Sequence, residues 1–552
     1  IGIKMVCDEK ARRKRMREFL INSWGKSADR NYSEEQWNAI VSYYKVLEKK
    51  AEESQKHEFV DDITWNDLDM DEVYQVWNHT RTSIGEEYLY AALRHPIASD
   101  AEMEERERVI TYLLENTQER MYLQEALAEI GKLERMSVYD HLELIQDMKP
   151  IGALPHILAG VCLVGALIGC AFAPEFMVIA SIVIMGGNII SYYQAKAKVD
   201  SYIRLFTFIL HMVEQCEGVA RKTIPGLEKY QDQLKKQTSC FGKYRRFCFL
   251  VNGGSGMSGD IMDSLMDYIR ILFHVDLVKM STMIREAKKY EQQLRIMYDT
   301  IGYLDTMLST ASCRIMYGEY CVPQLSHQAN GKFAVTEMYH PLIPEGVRNS
   351  ITAERSVLLT GSNASGKSTF IKTVALNAIL AQTLHTVLAE NYQASWFCIA
   401  SSMALRDDIL SQESYYIVEI RSLKRILDLT RSSELPVLCF IDEVLRGTNT
   451  VERIAASSRI LQAIAEQGGL CFAATHDIEL TYLLEKEYDN YHFEEQVEDD
   501  KVTFDYCLRE GRACTRNAIR LLKMLGYDEK IVDDANERVA LFLKSGNWVS
   551  SH

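Results

Sequence analysis

The sequence predicts a multidomain chain of α and α/β class, a long helical region followed by an α/β domain on a parallel sheet. Three observations carry this. Ser356-Val-Leu-Leu-Thr360 is an apolar run that meets Gly-x4-Gly-Lys-Ser at Gly361 and passes into the helix-like run Phe370 to Leu384. Pro436-Val-Leu-Cys-Phe-Ile-Asp442-Glu443 is a second apolar strand, ending in two carboxylates. Ahead of both, Tyr192 to Gln237 and Ile261 to Met307 have the apolar spacing of long amphipathic helices, a lever-like pattern.

Bulk properties narrow the class. The 552 residues, 47% hydrophobic, are enough for several domains and a sizeable core. A net charge of -15 argues against a generic, charge-driven nucleic-acid binder but leaves room for a local basic surface. The 13 cysteines are scattered without a C-x-x-C pair, which fits a reducing cytosol rather than a disulfide framework or zinc site. No cleavable secretion signal is visible near the first residue, an Ile.

In chain order, residues 1–58 read as an N-terminal helical segment. It holds the basic run Lys10-Ala-Arg-Arg-Lys-Arg-Met-Arg17, a solvated helix face or a contact for anionic lipid or phosphate. Residues 59–150 read as the first part of a helical core, and 196–330 as the second. Between them, residues 151–195 form an apolar hairpin. Ile157 to Ala173 carries no charge, Pro174-Glu175 interrupts, and Phe176 to Ile190 resumes. A spanning helix needs ~20 apolar residues, so residues 157–190 are expected to cross a membrane as a pair. Gly160, Gly165 and Gly169 would let the helices pack closely. Lys149, Lys196 and Lys198 flank the pair and Glu175 marks its tip, which puts both ends in the cytoplasm. The alternative is a hairpin buried in a soluble core. Lys235-Lys236 and Lys243-Tyr-Arg-Arg246 form a basic, aromatic-interleaved patch, a candidate nucleic-acid or lipid contact. Residues 331–552 hold the α/β domain.

That domain carries the chemistry. Strand, Gly-rich loop and helix is the context in which a P-loop binds nucleotide, its amides and helix N-terminus surrounding a polyphosphate. Gly361, Ser362, Asn363, Ala364, Ser365, Gly366, Lys367, Ser368 and Thr369 are therefore expected to bind ATP. Lys367 reaches the β- and γ-phosphates, and Ser368 with Asp442 holds Mg²⁺. Glu443 orients or deprotonates the attacking water. Gly469-Leu-Cys-Phe-Ala-Ala-Thr475-His476 is a further strand, and a His at its C-terminal end is placed to sense the γ-phosphate. The expected catalytic set is Glu443, His476 and Lys367, and the expected reaction ATP hydrolysis.

The order Gly361 to Thr369, Asp442-Glu443, Arg446-Gly-Thr-Asn-Thr450 and Ala474-Thr-His476 resembles the ATPase domain of the MutS mismatch-repair family. Met338-Tyr-His-Pro-Leu342 resembles the family's His-Pro segment. Asp407 to Ile420 resembles its Asp-Asp stretch, and Cys514 to Ile519 with the following helices its C-terminal dimerisation segment. Upstream, Asn78-His-Thr-Arg-Thr-Ser-Ile-Gly85, Leu93 to Ile97, Glu105 to Ile110, Tyr303 to Met307 and Tyr320 to Pro323 resemble its core, or lever, domain. The resemblance implies an ABC-like P-loop ATPase domain, a homodimer, and Ser414 reaching the γ-phosphate bound by the opposite subunit. It also implies DNA as a partner, in a repair or recombination type of role. Gln412-Glu413 stands where the family has Gly-Arg, and Tyr415-Tyr416 where it has Thr-Phe, which weakens the cross-subunit reading. No mismatch-reading, connector or nuclease domain is expected. Two functions follow. One is a MutS-like ATPase acting on DNA without reading mismatches. The other is an ATPase switch anchored at the cytoplasmic membrane and acting on a protein or lipid. A transporter ATPase subunit is disfavoured, since no Leu-Ser-Gly-Gly-Gln signature occurs.

Overall fold

A computed structural model describes residues 2–27, 31–53, 59–133, 135–148, 152–246, 261–328, 331–362, 365–403, 415–445, 449–498, 501–513, 519, 522 and 526–545. The chain divides into two compact units. Ile1–Lys56, Tyr74–Ala92 and Glu105–Met316 form the first, and His57–Val73, Leu93–Glu104 and Tyr317–His552 the second. Residues 59–150 are thus shared between them.

The first unit is helical. Of the basic run, Arg12 pairs with Glu129 at 2.8 Å and Arg17 with Glu125 at 3.5 Å. Both carboxylates lie on helix Thr117–Ile130, so part of that charge is neutralised within the unit. The two long helices expected are both broken. The first runs for 48 residues, Pro174–Arg221, and stops ahead of Pro225, which cannot continue it; Glu228–Thr238 follows. The second becomes Ile261–Phe273, Val275–Lys289 and Glu291–Tyr317, broken at Tyr290 and at His274, whose φ of 54° is left-handed. Asp305 on the last of these is fully buried and accepts from Arg81 N (3.0 Å), Thr82 N (2.9 Å) and Thr82 Oγ1 (2.7 Å). Gly85 has to be glycine here, because a Cβ would sit 2.2 Å from Asp305 Oδ2.

The apolar hairpin belongs to this unit. Its first arm is Ala153–Gly169, 17 residues; its second is the start of Pro174–Arg221 and does not end near residue 195. Among the described residues one helix is long and apolar enough to cross a membrane, Pro174–Ala197, with a mean hydropathy of 1.7. Its apolar window is 17% buried, so it is not the core of this unit. Phe172 (87% exposed) at the tip, Val183 (68%) and Leu154 (67%) face outward. Polar contacts tie the base of the hairpin down. Asn188 Nδ2 donates to Ala159 O (3.2 Å) and Leu272 O (2.8 Å), and His156 Nδ1 lies 2.9 Å from His274 Nδ1.

The second unit is α/β. We number its strands β1 (Gln324–Ser326), β2 (Phe333–Met338), β3 (Asn349–Ala353), β4 (Ser356–Thr360), β5 (Asn391–Ser395), β6 (Cys398–Ser402), β7 (Val437–Asp442), β8 (Leu470–Ala474), β9 (Tyr488–His492), β10 (Glu495–Glu498), β11 (Lys501–Phe504) and β12 (Arg509–Glu510). The main sheet has the order β12-β9-β4-β8-β7-β6, parallel except for β12; a second sheet has the order β1-β5-β2-β3, and β10 pairs with β11. β4, β7 and β8 are continuous apolar runs because both sheet faces are covered. Leu358, Cys439 and Cys471 pack with Leu423, Ile426, Leu461 and Ile464 of helices Tyr415–Ser432 and Thr450–Glu466. The alternate residues Val357, Phe440 and Phe472 point to the other face. Edge strand β6 is covered by helix Asp62–Asp67. Ser401 N donates to Thr64 Oγ1 (3.0 Å), Ser401 Oγ (2.6 Å) and Met403 N (2.9 Å) donate to Asp67 Oδ2, and Arg425 pairs with Asp61. Such a cover blocks pairing by a foreign strand.

Candidate functional site

Three adjacent parallel strands, β4, β8 and β7, end at one level. Leu359 of β4 and Asp442 of β7 share Ala474 of β8 as register partner. Glu443 N donates to Ala474 O (3.0 Å) and Thr475 N to Leu359 O (2.9 Å). The phosphate-type loop, the Asp-Glu pair and His476 therefore meet at the C-terminal edge of the sheet, where open α/β sheets bind ligands.

The loop depends on two glycines. Gly361 has φ 147° and a Cβ there would lie 2.9 Å from Phe493 O; Gly366 has φ 104° with Tyr506 Cδ1 at 3.1 Å. Side chains strongly disfavour such φ values. Lys367 opens helix Lys367–Thr383, is 5% exposed, and donates from Nζ to Gly361 O (2.8 Å) and Ser362 O (2.7 Å). Ser362 Oγ donates to Glu495 Oε2 at 2.7 Å. Ser368 and Thr369 lie in the first turn, whose unsatisfied N–H groups and dipole favour an anion. Asn363, Ala364, Ser414 and the segment 446–448 lie outside the described residues.

Glu443 has a φ of 53° and its Oε1 lies 2.9 Å from His476 Nε2. Asp442 Oδ1 and Ser365 Oγ are buried without a hydrogen-bond partner among the described residues. A buried carboxylate oxygen in that state suits a cation, so Asp442 and the Ser368 hydroxyl are a donor set that fits Mg²⁺, a hard ion taking oxygen ligands. Beside the loop lies a cavity of about 490 Å³, lined by Met338, His340, Ile343, Phe493 and Tyr506 as well as by Lys367 and Glu443. Its walls are apolar and aromatic and its floor is the loop, which suits a base on a polyphosphate.

Several residues of this site were given no role by the sequence. Burial, with help from the Lys372 cation, holds His340 down at about 4, and its Nδ1 accepts from Leu342 N at 3.1 Å. Lys372 is paired with Asp69 at 2.6 Å. Glu419 accepts from Leu445 N and so fixes the turn after Glu443. Arg453 clamps Asp477 through two bonds, 3.0 and 2.6 Å, behind His476. Asn349 Nδ2 donates to Tyr506 O (3.0 Å) and holds that residue at the cavity. The Asp-Asp stretch and the His-Pro segment pointed to Glu419 and His340, but no linear spacing gives the others.

Comparison with known proteins fits this arrangement. The model of the family "MutS domain V" matches residues 357–542. The chain is 24% identical over 521 residues to the DNA mismatch repair protein MutS of Streptococcus sanguinis, covering 84% of this chain and 59% of that protein. It is 24% identical over 507 residues to the protein of that name from Thermotoga petrophila, covering 84% and 62%. It is 31% identical over 245 residues to that of Natronomonas pharaonis, covering 43% and 28%. The chain thus spans less than two thirds of the length of each of these relatives.

Proposed function

Because the chain is a divergent member of the MutS family, we propose that its second unit is an ABC-like P-loop ATPase domain that binds and hydrolyses ATP. The observation that carries this is the alignment of β4, β8 and β7, which brings Lys367, His476 and the Asp442-Glu443 pair to one edge. Lys367, the loop amides and the helix N-terminus hold the phosphates, and the base lies between Ile343 and Tyr506. Ser368 and Asp442 would hold Mg²⁺, which would supply charge neutralisation at the phosphate oxygens. Glu443 takes a proton from the attacking water, its carboxylate aimed by His476 at 2.9 Å. His476 contacts the γ-phosphate and links its presence to Glu443. Nucleotide state then changes pairing in a homodimer and moves the helical unit. Ser414 from the opposite subunit completes the site.

The relatives are named DNA mismatch repair proteins, and we infer a DNA-directed role of repair or recombination type for this chain. Steady-state ATP hydrolysis by the full chain tests the chemistry. Lys367→Ala is expected to abolish nucleotide binding and turnover; equal turnover in wild type and variant would sink the site assignment. Duplex and branched DNA titrated at rising salt tests the partner, with affinity expected to fall steeply as salt rises.

A second reading rests on the hairpin, whose apolar sides face outward on both arms. In this reading residues 157–190 anchor a cytoplasmic ATPase at the membrane. Tyr193, which is exposed, sits at the interface and Lys196 just beyond it. Pro174–Ala197, 24 residues, reaches about 36 Å at ~1.5 Å per residue, enough for a hydrocarbon core of ~30 Å.

A further inference from the structure

A groove of about 910 Å³ runs along the first arm of the hairpin in the first unit. Ile157, Val161, Val164 and Ile168 form one wall, a stripe at helical spacing, and Val275 and Val278 part of the other. The stripe from Ile157 to Ile168 is about 17 Å long at ~1.5 Å per residue, close to one leaflet of a hydrocarbon core ~30 Å thick.

The polar lining has one sign. Lys243, Arg246 and Lys279 line the groove and, among the described residues, no carboxylate does, in a chain whose net charge is -15. Lys279 is 7% exposed and donates to Lys243 O (3.1 Å) and Tyr244 O (2.6 Å). It thereby fixes the short helix Gly242–Arg245, which Tyr244 also pins through a 2.9 Å bond to Phe206 O. Lys243 and Arg246 are exposed on this pinned segment. A leaflet-length apolar wall beside cations carried on a pinned segment is complementary to a lipid with an acyl chain and an anionic head.

We propose that this groove binds an anionic phospholipid, its phosphate at Lys243 and Arg246 and an acyl chain along the Ile157–Ile168 stripe. The proposal rests on the anchoring reading of the hairpin and adds lipid selectivity to it. Basic pockets beside membrane helices hold anionic head groups through charge-assisted bonds.

Gly165 supplies a clean probe, since it lines the groove and a Cβ there meets nothing within 4 Å. Gly165→Phe therefore fills the groove without straining the helix. The experiment compares the full-length wild type, Gly165→Phe and the double variant Lys243→Glu/Arg246→Glu. Each is tested for membrane retention after carbonate. Each is then purified in a neutral detergent and presented with vesicles of phosphatidylcholine alone or mixed with phosphatidylglycerol. Expected are full membrane retention by all three and retained phosphatidylglycerol in the wild type. Selectivity should fall roughly thirtyfold in the double variant, from ~1 kcal/mol for each cation lost. Gly165→Phe should retain little lipid of either kind. Equal lipid retention in all three membrane-bound proteins overturns the groove site and leaves the anchor standing. Release of the wild type by carbonate overturns both readings. Loss of lipid only together with loss of the membrane assigns these residues to the anchor and also overturns the site.

Discussion

His340 makes the second unit sensitive to acid in a calculable way. Its imidazole is held at about 4 against an ordinary value of 6.5, by burial first and then by the Lys372 cation. Its Nδ1 also accepts from Leu342 N, a bond that protonation at that nitrogen would remove. The unfolded chain therefore binds a proton between pH 6.5 and 4 that the folded unit refuses. Stability is complete above 6.5 and is lost as pH falls through this window. The integrated effect at pH 4 is about 3 kcal/mol, taking ~1.36 kcal/mol per pKa unit. Many other groups titrate there, so the quantity to measure is a difference. Urea unfolding of the wild type and of His340→Phe, followed from pH 7 to pH 4, should show the wild type losing about 3 kcal/mol relative to the variant. Parallel pH dependences for the two proteins would refute the reasoning and place His340 in contact with solvent.

Other perturbations read other parts of the molecule. Glu443→Gln is expected to keep ATP binding while slowing hydrolysis by ~10²–10⁴-fold, as loss of a general base does; comparing equilibrium nucleotide binding with single-turnover rates separates the two effects. Gly366→Ala places a Cβ at φ 104° and 3.1 Å from Tyr506, so strain of ~1–3 kcal/mol should fall on the loop and nucleotide affinity should drop, as titration with a fluorescent ATP analogue would record. Asp305→Ala strands the donors on Arg81 and Thr82 inside the first unit, a loss of about 3 kcal/mol or more that hydrogen exchange across residues 78–85 would detect. Deleting residues 157–190 should release the chain from membranes with hydrolysis intact; a deletion variant still pelleting with membranes would put the contact elsewhere.

The site was legible where its residues are contiguous or end an apolar strand, as at Gly361–Thr369, Asp442-Glu443 and Thr475-His476. Residues that arrive by packing were not. Arg453 meets Asp477 across 24 residues and Asn349 meets Tyr506 across 157, contacts made by the folding of the unit and by no spacing in the sequence. Helical content was legible from periodicity, but helix ends were not. The break at His274 is set by polar contacts with the hairpin base, and the second arm runs on to Arg221 because apolar composition changes there without a helix-stopping residue. Asn78–Gly85 and Tyr303–Met307, matched separately to one family, meet through Asp305. Nothing in the pattern of residues 57–73 and 93–104 predicts that they complete the α/β unit; the carboxylates of Asp61 and Asp67 find their partners more than 300 residues later.

That last arrangement sets the order in which the protein can be made. The α/β unit takes in His57–Val73 and Leu93–Glu104 but obtains its main sheet only after Tyr317. On the ribosome the early pieces must wait while the whole helical unit and its apolar hairpin emerge. Such long waiting contacts slow folding and lengthen exposure to aggregation. Truncation has the same logic. A fragment cut at residue 331 would leave the edge of β6 uncovered and Lys372 and Arg425 without Asp69 and Asp61. The smallest portion that can fold as the α/β unit therefore begins no later than residue 57, and carries the helical unit with it.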